Sequence, residues 1–600
     1  MIRQEIEQLI REAIEELKKE DKLGDLTIGE IPLEHPEKEE HGDYATPIAL
    51  QLAKQLGKNP REIADLIISK FEIRNLEFLD GIKAEGPGFI NFYIAKDYLL
   101  SELARVSEER ERFGKNLSLK GKKMMVEYAH PNTHKEMHIG HMRTLITGEA
   151  LARIFSFCGA KVFRANYQGD IGPHVVKAIW GTQKILGERK LTFAKVEKLS
   201  LIEKAHLLGE GYVRGNQEYE ANKPEIDALN ARLYKKERTV MPLYYKTRQW
   251  SLKYYDVIYK RFDAKFNKLY FESQVAKLGE QIVLKNIGKV FEQSEGAIIF
   301  DGEKHGLHKR VFITRDGNPT YEGKEMGLAF TQYKDFPFDL NCHVVANEQT
   351  GYFKVVFKAL ELVSKKFKGK EYHLPMGMVQ LVGKKMSSRT GVVITVDGLL
   401  DDVKALLLPL IKSEALTKKQ VDEIASVGTI AAVKYSVLKN DTRSNVAFDM
   451  AKSVSLDGDS GPYLQYTYAR CRSILRKARI AKNKLRIAPN SQPLDQARDK
   501  PFDSTQGKQS AISNEEIAVL RWLYRFPEVV QEAGEKFSPN LVCNFVFELA
   551  QRYNYFYNIH SVLQAETEEQ KQFRLLLTSA TAQTIKNSLN LLGIKAPEKM

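Results

Sequence analysis

A multidomain chain, α/β followed by all-α, is the fold class that these 600 residues predict, and three observations predict it. A strand, a helix and a second strand follow one another within about 45 residues, Met124 to Tyr167, which implies a parallel crossover unit. After about residue 403 the apolar periodicity is almost all helical. Before residue 108, helical stretches and one alternating stretch make a small mixed unit of their own.

In chain order, residues 1–22 are charged and amphipathic, with Ile6, Leu9, Ile10 and Ile14 at helical spacing. Ala45–Leu56 and Ile63–Phe71 predict two further helices, and Gly88–Ile94 (GFINFYI) alternates like a strand. The first domain is therefore drawn over 1–108, with ERFGKNLSLKGKK as a linker. Met124–Ala129 (MMVEYA) predicts a strand, His138–Phe157 a helix closed near Gly159, and Lys161–Tyr167 (KVFRANY) the next strand. A long charged stretch, roughly 181–292, predicts helix, and strand-like segments return at Arg310–Thr314 and Cys342–Ala346. The simplest account is one α/β nucleotide domain over 120–402 with a helical insertion at about 181–304, then a helical domain over 403–600. Residues 487–513 read as a long loop, and Pro597 ends the last helix.

Lys and Arg number 91 against 77 Asp and Glu, a formal charge of +14. That excess suits a surface that attracts nucleic acid by counterion release, and equally a plain basic surface. Cys158, Cys342, Cys471 and Cys543 are widely spaced with no CxxC pair, which argues against structural zinc or a disulfide framework. The amphipathic start lacks the apolar core of a signal peptide, and no run of about 18 apolar residues occurs. The cytoplasm is the simplest location, and no membrane partner is expected.

The most informative run is HPNTHKEMHIGHMR, residues 130–143. Pro131 and Asn132 break the first strand, and the helix opens near His138. His138 and His141 are three apart and share a helical face. Gly140 between them lets a bulky ligand approach the backbone. A helix N-terminus offers unpaired N–H groups to phosphate, and imidazole donors there can stabilise charge growing on it. Spacing alone equally suits two exposed capping histidines. Neither GxxxxGK[ST] nor GxGxxG after a strand is present, so phosphate must be held another way. Glycines flank a second run, GKKMSSRTG (383–391), whose Lys384, Lys385, Ser387, Ser388 and Arg389 could gather around a polyphosphate or form an ordinary surface loop.

These two runs carry a resemblance. His138-Ile139-Gly140-His141, after a strand and opening a helix, resembles the first motif of class I aminoacyl-tRNA synthetases. Lys385-Met386-Ser387-Ser388-Arg389, about 245 residues on, resembles their KMSKS motif. The resemblance implies a Rossmann-like parallel-sheet catalytic domain, with both motifs packing against ATP and Mg2+ accompanying the nucleotide. The fourth KMSKS position is Ser388 where lysine is usual. In some arginyl members a lysine just before the first motif is thought to compensate, and Lys135 stands there, with Arg389 and Lys384 as competing substitutes.

VEYAHPNTHKEMHIGHMR is similar to the arginyl family's pattern over its whole length. That likeness implies arginine contacts from Glu127 and Asn132. ITRDGNPTYEGKEMGLA is similar to another arginyl segment, placing a contact at Tyr321 and its acidic partner at Glu325, where aspartate is usual. Gln349 would be the further polar contact, with Glu348 as the near alternative. Carboxylates and amide oxygens are what a planar, permanently charged guanidinium requires.

The last third interleaves aromatics with base: from Arg470 to Arg486 there are eight positive charges in seventeen residues. Aromatics can stack unpaired bases while Arg and Lys meet phosphates; a solvated charged helix is the plain alternative. The segment resembles the opening of the arginyl family's helical anticodon-binding domain, and makes Tyr463, Arg470, Tyr553 and Tyr557 candidate contacts to tRNA. HGDYATPIALQLAK and GPGFINFYI resemble that family's additional N-terminal domain, with Phe89 and Asn91 at its RNA-facing positions. The implied activity is ATP-dependent arginylation of its tRNA by a monomer, with another class I specificity or a non-catalytic RNA-binding relative as alternatives.

Overall fold

The computed structural model describes all residues except 1, 25, 72–75, 384–393, 412–415 and 479–511. The opening helix, Ile2–Lys19, buries Ile6, Ile10 and Ile14. Three strands, β1 (Tyr44–Thr46), β2 (Leu79–Glu85) and β3 (Phe89–Ile94), form an antiparallel sheet in the order β1-β3-β2. Helices Ile48–Leu56 and Pro60–Phe71 pack on it. The sequence reading begins a helix at Ala45; the structure keeps Ala45 and Thr46 in β1. Pro47 explains the difference, because it forces the residue before it towards extended backbone.

The central domain is built on β4 (Lys123–Glu127), helix Ile139–Phe157, β5 (Lys161–Gln168) and β6 (Lys268–Phe271). A small antiparallel sheet of β7 (Glu292–Ser294), β8 (Ala297–Phe300) and β9 (Arg310–Ile313) follows, then β10 (Leu340–Ala346) and β11 (Glu371–Met376). The main sheet is wholly parallel in the order β11-β10-β4-β5-β6. The chain therefore builds outward from β4 in one direction and restarts on its other side with β10. The crevice at the carboxyl ends of β4 and β10 is the topological switch point, where open α/β sheets bind ligands.

Two sequence expectations need correction. The charged stretch 181–292 does carry helices, among them Leu201–Gln217 and Met241–Arg261, but Lys268–Phe271 within it is the edge strand of the main sheet. Four residues are too few for a period-two pattern to stand out between helices. Arg310–Ile313 is a strand, yet it pairs with β8 rather than joining the nucleotide sheet.

β12 (Val379–Leu381) pairs in parallel with β13 (Val446–Phe448), and long helices dominate the rest, including Lys418–Leu438, Gly461–Lys477, Asn540–Ile559 and Glu568–Leu591. One continuous apolar cluster runs from Ile2 through helix Ile139–Phe157 to Ile594, so the first and last domains share a core with the central one. Among the described residues, no helix is long and apolar enough to cross a membrane.

Candidate active site

The helix after β4 starts where the sequence reading put it. His138 is its N-cap, with extended φ and ψ of −105° and 170°. No Ser, Thr or Asp is available to cap it, and the histidines do so instead. Gly140 N donates to His138 Nδ1 (3.1 Å), and His138 N donates to His141 Nδ1 (3.4 Å). The rings stack with centroids 3.7 Å apart. Both Nδ1 atoms act as acceptors, so each neutral ring carries its proton on Nε2 and presents it as a donor. Burial, with Lys135 adding to it, pulls His138 down to about 4. Burial, then His138, Lys135 and His130, pull His141 well below the ordinary imidazole value. The pair is neutral at physiological pH, an arrangement suited to donating hydrogen bonds to an anion beside the positive end of a helix.

The turn leading to this helix is strained. Ala129, His130 and His134 all have positive φ (77°, 48° and 65°), conformations that cost non-glycine residues about 1–3 kcal/mol each. It is pinned by its neighbours. Tyr255 Oη donates to Asn132 O (2.6 Å) and Lys135 O (2.7 Å), and His134 is buried between Thr133, Thr247 and Ser251. Gly169, after β5, lies so close that a Cβ there would sit 2.2 Å from Asn132 Oδ1, so only glycine admits the Asn132 side chain. The Lys135 ammonium lies 3.9 Å from the centroid of the Tyr212 ring, on helix Leu201–Gln217 of the insertion. The adjoining Glu136 pairs with His206 of the same helix.

Lys384, Lys385, Met386, Ser387, Ser388 and Arg389 lie outside the described residues. The chain on either side of them is described. Gly383 turns with a φ of 81°, and Thr395 forms a β-bridge with His138, while Val396 N donates to Met137 O (2.9 Å). The segment that follows the basic run thus abuts the start of the histidine-bearing helix.

The second half of the site is acidic. Glu127, the last residue of β4, is 1% exposed. It accepts from Gln332 Nε2 and lies 3.2 Å from His343 Nδ1. His343 Nε2 in turn lies 2.8 Å from Glu371 Oε2. Burial works to raise Glu127, but His343, then His130 and Gln332, more than offset it, and it stays below the usual carboxylate value. Glu325, on helix Tyr321–Asp335, is pushed up to about 8 by burial and then by Glu127. Burial thus favours its protonated form, and a cation brought beside it would favour ionisation. The buried Tyr167 hydroxyl faces the same groups and finds no hydrogen-bond partner among the described residues. An ionised carboxylate, a carboxyl poised to ionise and an orphan hydroxyl form a receptor for a cationic, donor-rich group.

Tyr321 opens the same helix as Glu325, capped by Thr320, and is 56% exposed at the mouth with Lys324 Nζ 5.2 Å from its ring. Gln349 and Glu348 are both exposed at the end of β10. The structure thus brings Glu127 and Glu325 together and leaves Tyr321 and Gln349 at the rim. Sequence reasoning missed Gln332, His343, Glu371 and Tyr167. Gln332 had a signal, since it lies seven residues after Glu325 on the same helical face; the others sit on strands whose order carries no local cue.

Away from this crevice, Phe89 is 38% exposed at the start of β3. Asn91 departs from its expected RNA-facing role: it is buried, its amide donating to Glu85 (2.9 Å). Tyr553 also needs correction, being fully buried with its hydroxyl on Thr578, because helix Asn540–Ile559 turns that face into the bundle core. Tyr463 and Arg470 converge on Asn554, and Arg470 also approaches the rings of Tyr466 and Tyr557. A cavity of about 1010 Å³ opens there, lined by Tyr466, Arg470, Arg476, Lys477, Tyr557 and His560. Tyr466, exposed one helical turn before Arg470, is the aromatic that sequence reasoning passed over. Among the described residues no group of three or more His, Cys, Asp or Glu could hold a metal ion.

Comparison with known proteins accords with this layout. Residues 104–450 match the family described as tRNA synthetases class I (R), catalytic domain. Residues 4–94 match the arginyl tRNA synthetase N terminal domain, and 464–600 the DALR anticodon binding domain. An arginine–tRNA ligase of Treponema denticola is 31% identical, over 95% of this chain and 95% of its own. That of Borrelia hermsii is 30% identical over 100% and 99%. The solved structure of Thermus thermophilus arginyl-tRNA synthetase superposes with a TM-score of 0.80 at 25% identity, covering 100% of both chains.

Proposed function

Because the chain belongs to the class I arginyl-tRNA synthetase family, we propose that the crevice between β4 and β10 is where its ATP-dependent ligation of arginine to tRNA takes place, with the phosphate and guanidinium groups held on opposite sides of Asn132. The observation that carries this division is the placement of two kinds of chemistry within one turn of chain. Neutral Nε2–H donors and the Lys135 ammonium stand at the helix N-terminus, and buried carboxylates stand at the strand end.

In this reading the carboxylate of arginine attacks the α-phosphorus of Mg-ATP, giving arginyl-adenylate and pyrophosphate. The terminal adenosine hydroxyl of tRNA then takes the arginyl group and AMP leaves. No protein nucleophile is needed; alignment and stabilisation of phosphate charge supply the rate. His138 and His141 donate to phosphate oxygens, and Gly140 lets the nucleotide close on the backbone. Lys135 supplies the charge that Ser388 does not, and Lys384, Lys385, Met386, Ser387 and Arg389 of the basic run are the further candidates for ATP. Glu127 and Glu325 receive the guanidinium, Asn132 holds the amino acid's α-carbon end, and Tyr321 with Gln349 closes the mouth. Phe89, Tyr463, Arg470 and Tyr557 are the surfaces offered to tRNA.

His141→Ala tests the phosphate half. Loss of one preorganised donor to developing charge costs on the order of 100-fold, and it should lower kcat and kcat/KM together. An effect confined to the KM for arginine would refute the role.

A further inference from the structure

Beneath the proposed guanidinium pocket lies a buried polar chain. Asn341 Nδ2 donates to Gln332 Oε1 (3.1 Å), Gln332 Nε2 donates to Glu127, and Glu127 meets His343, which meets Glu371. The sheet register dictates the chain. His343 on β10 lies directly opposite Glu127 on β4, and Glu371 on β11 lies opposite Asn341, two residues before His343 and so on the same face. Helix Tyr321–Asp335 covers that face with Glu325 and Gln332. His343 is 3% exposed, with the Phe353 and Phe357 rings 5.2 and 5.3 Å from its own. Each of its ring nitrogens lies within hydrogen-bond distance of a carboxylate oxygen. A neutral imidazole has one N–H, so it can donate to both carboxylates only as the doubly protonated ring; burial raises Glu371, and a charged His343 beside it works the other way.

We propose that His343 is a positioning and specificity-determining residue for the amino acid: a buried imidazolium, braced by Glu371, that fixes the Glu127 carboxylate in its ionised form and in one orientation, ready for a guanidinium. Without a cation at this place, Glu127 would be a carboxylate in an apolar interior with Gln332 as its neutral support, and burial would favour its protonated form. A protonated Glu127 offers a guanidinium less charge and one acceptor fewer. The imidazolium is held near 10 against burial by Glu127 and then Glu371, so its own charge is constant across the physiological range. The other titratable groups facing it are Glu325 from the covering helix, His130 from the turn after β4, and His373 on β11. His130 and His373 are both held below the ordinary imidazole value, chiefly by burial.

The inference rests on the reading of Glu127 as a guanidinium contact, and the test separates the two. Arginine and ATP KM and kcat are measured for charging by the full-length enzyme between pH 6.5 and 8.5, for the parent, Glu127→Gln, His343→Phe and His343→Gln. Loss of a charged hydrogen bond to Glu127 is expected to raise the arginine KM of His343→Phe about tenfold to a hundredfold. Its KM should climb more steeply than the parent's as pH falls, while the KM for ATP stays within twofold. His343→Gln, which keeps an N–H donor but no charge, should recover part of the loss and retain the slope with pH, and it carries the test alone if the Phe variant does not fold. A pH profile parallel to the parent's with arginine KM within twofold of it, or an equal rise in both KM values, overturns the proposal. If Glu127→Gln also leaves arginine KM unchanged, the Glu127 reading falls with it; if Glu127→Gln raises it, only the role of His343 is lost.

Discussion

At the scale of single residues, the site works by setting protonation states before substrate arrives. His138 and His141 are neutral donors because backbone N–H groups occupy their Nδ1 atoms and burial opposes a second proton. Lys135 is the nearby cation, and its place is marked by the face of Tyr212. A cation over an aromatic ring is worth about 0.5–2 kcal/mol depending on desolvation. Lys135→Ala should therefore cripple tRNA-dependent pyrophosphate exchange, Tyr212→Leu should reduce it severalfold, and Tyr212→Phe, which keeps the ring, should stay near the parent. Ser388→Ala is expected to do little. Equal, negligible losses in Lys135→Ala and Ser388→Ala would dismiss the idea that one lysine replaces the other.

Between elements, the histidine-bearing helix is the part on which the others register. Arg143, one turn into it and 2% exposed, donates to four carbonyls from two segments, Met378 O (3.0 Å), Asp441 O (3.3 Å), Thr442 O (3.0 Å) and Ser444 O (2.7 Å). It ties the helix to the turns that precede β12 and β13. Arg143→Met would strand those carbonyls at about 1–3 kcal/mol for each one left buried and unmet, so chemical denaturation should show the variant less stable by several kcal/mol. An unchanged midpoint and slope would show that the carbonyls find water. Much of this level was legible beforehand. A strand-breaking Pro131-Asn132, a glycine between two histidines and an apolar helix to Phe157 place the element from local signals. What was not legible depends on register. His343 meets both Glu127 and Glu371 only because β10 sits between β4 and β11, and no local pattern announces a strand order. Asn91 and Tyr553 failed for a related reason: their residue types suit RNA, but the faces they occupy are set by packing, Asn91 against Glu85 of the neighbouring strand and Tyr553 against Thr578 of the last helix.

Across the whole molecule, the domains are joined by buried polar contacts as well as by a shared core. Glu528 receives Tyr44 (2.7 Å), Arg3 and His35 from the first domain, and Lys434 donates to Phe262 O (2.6 Å) and Gly593 O (2.5 Å), linking the insertion to the C-terminal end. Acid should loosen the assembly in a predictable order. Burial holds His134 at about 3, and His138, His174 and His373 at about 4, all below the value near 6.5 of an unfolded chain. Depressed groups contribute stability that is complete above pH 6.5 and is lost as pH falls towards the folded values. Melting temperature should accordingly decline from pH 6.5 to 4.5; a level profile down to pH 5 would contradict the burial of these rings. The central claim is that a helix tip holding phosphate and a strand end holding a guanidinium serve one reaction. It is tested most directly by charging total tRNA with each of the twenty amino acids in turn, with and without ATP. The account predicts charging with arginine alone, dependent on ATP and lost in Glu127→Gln at arginine concentrations that saturate the parent. Charging with a different amino acid, or arginine charging that Glu127→Gln leaves intact, would contradict it.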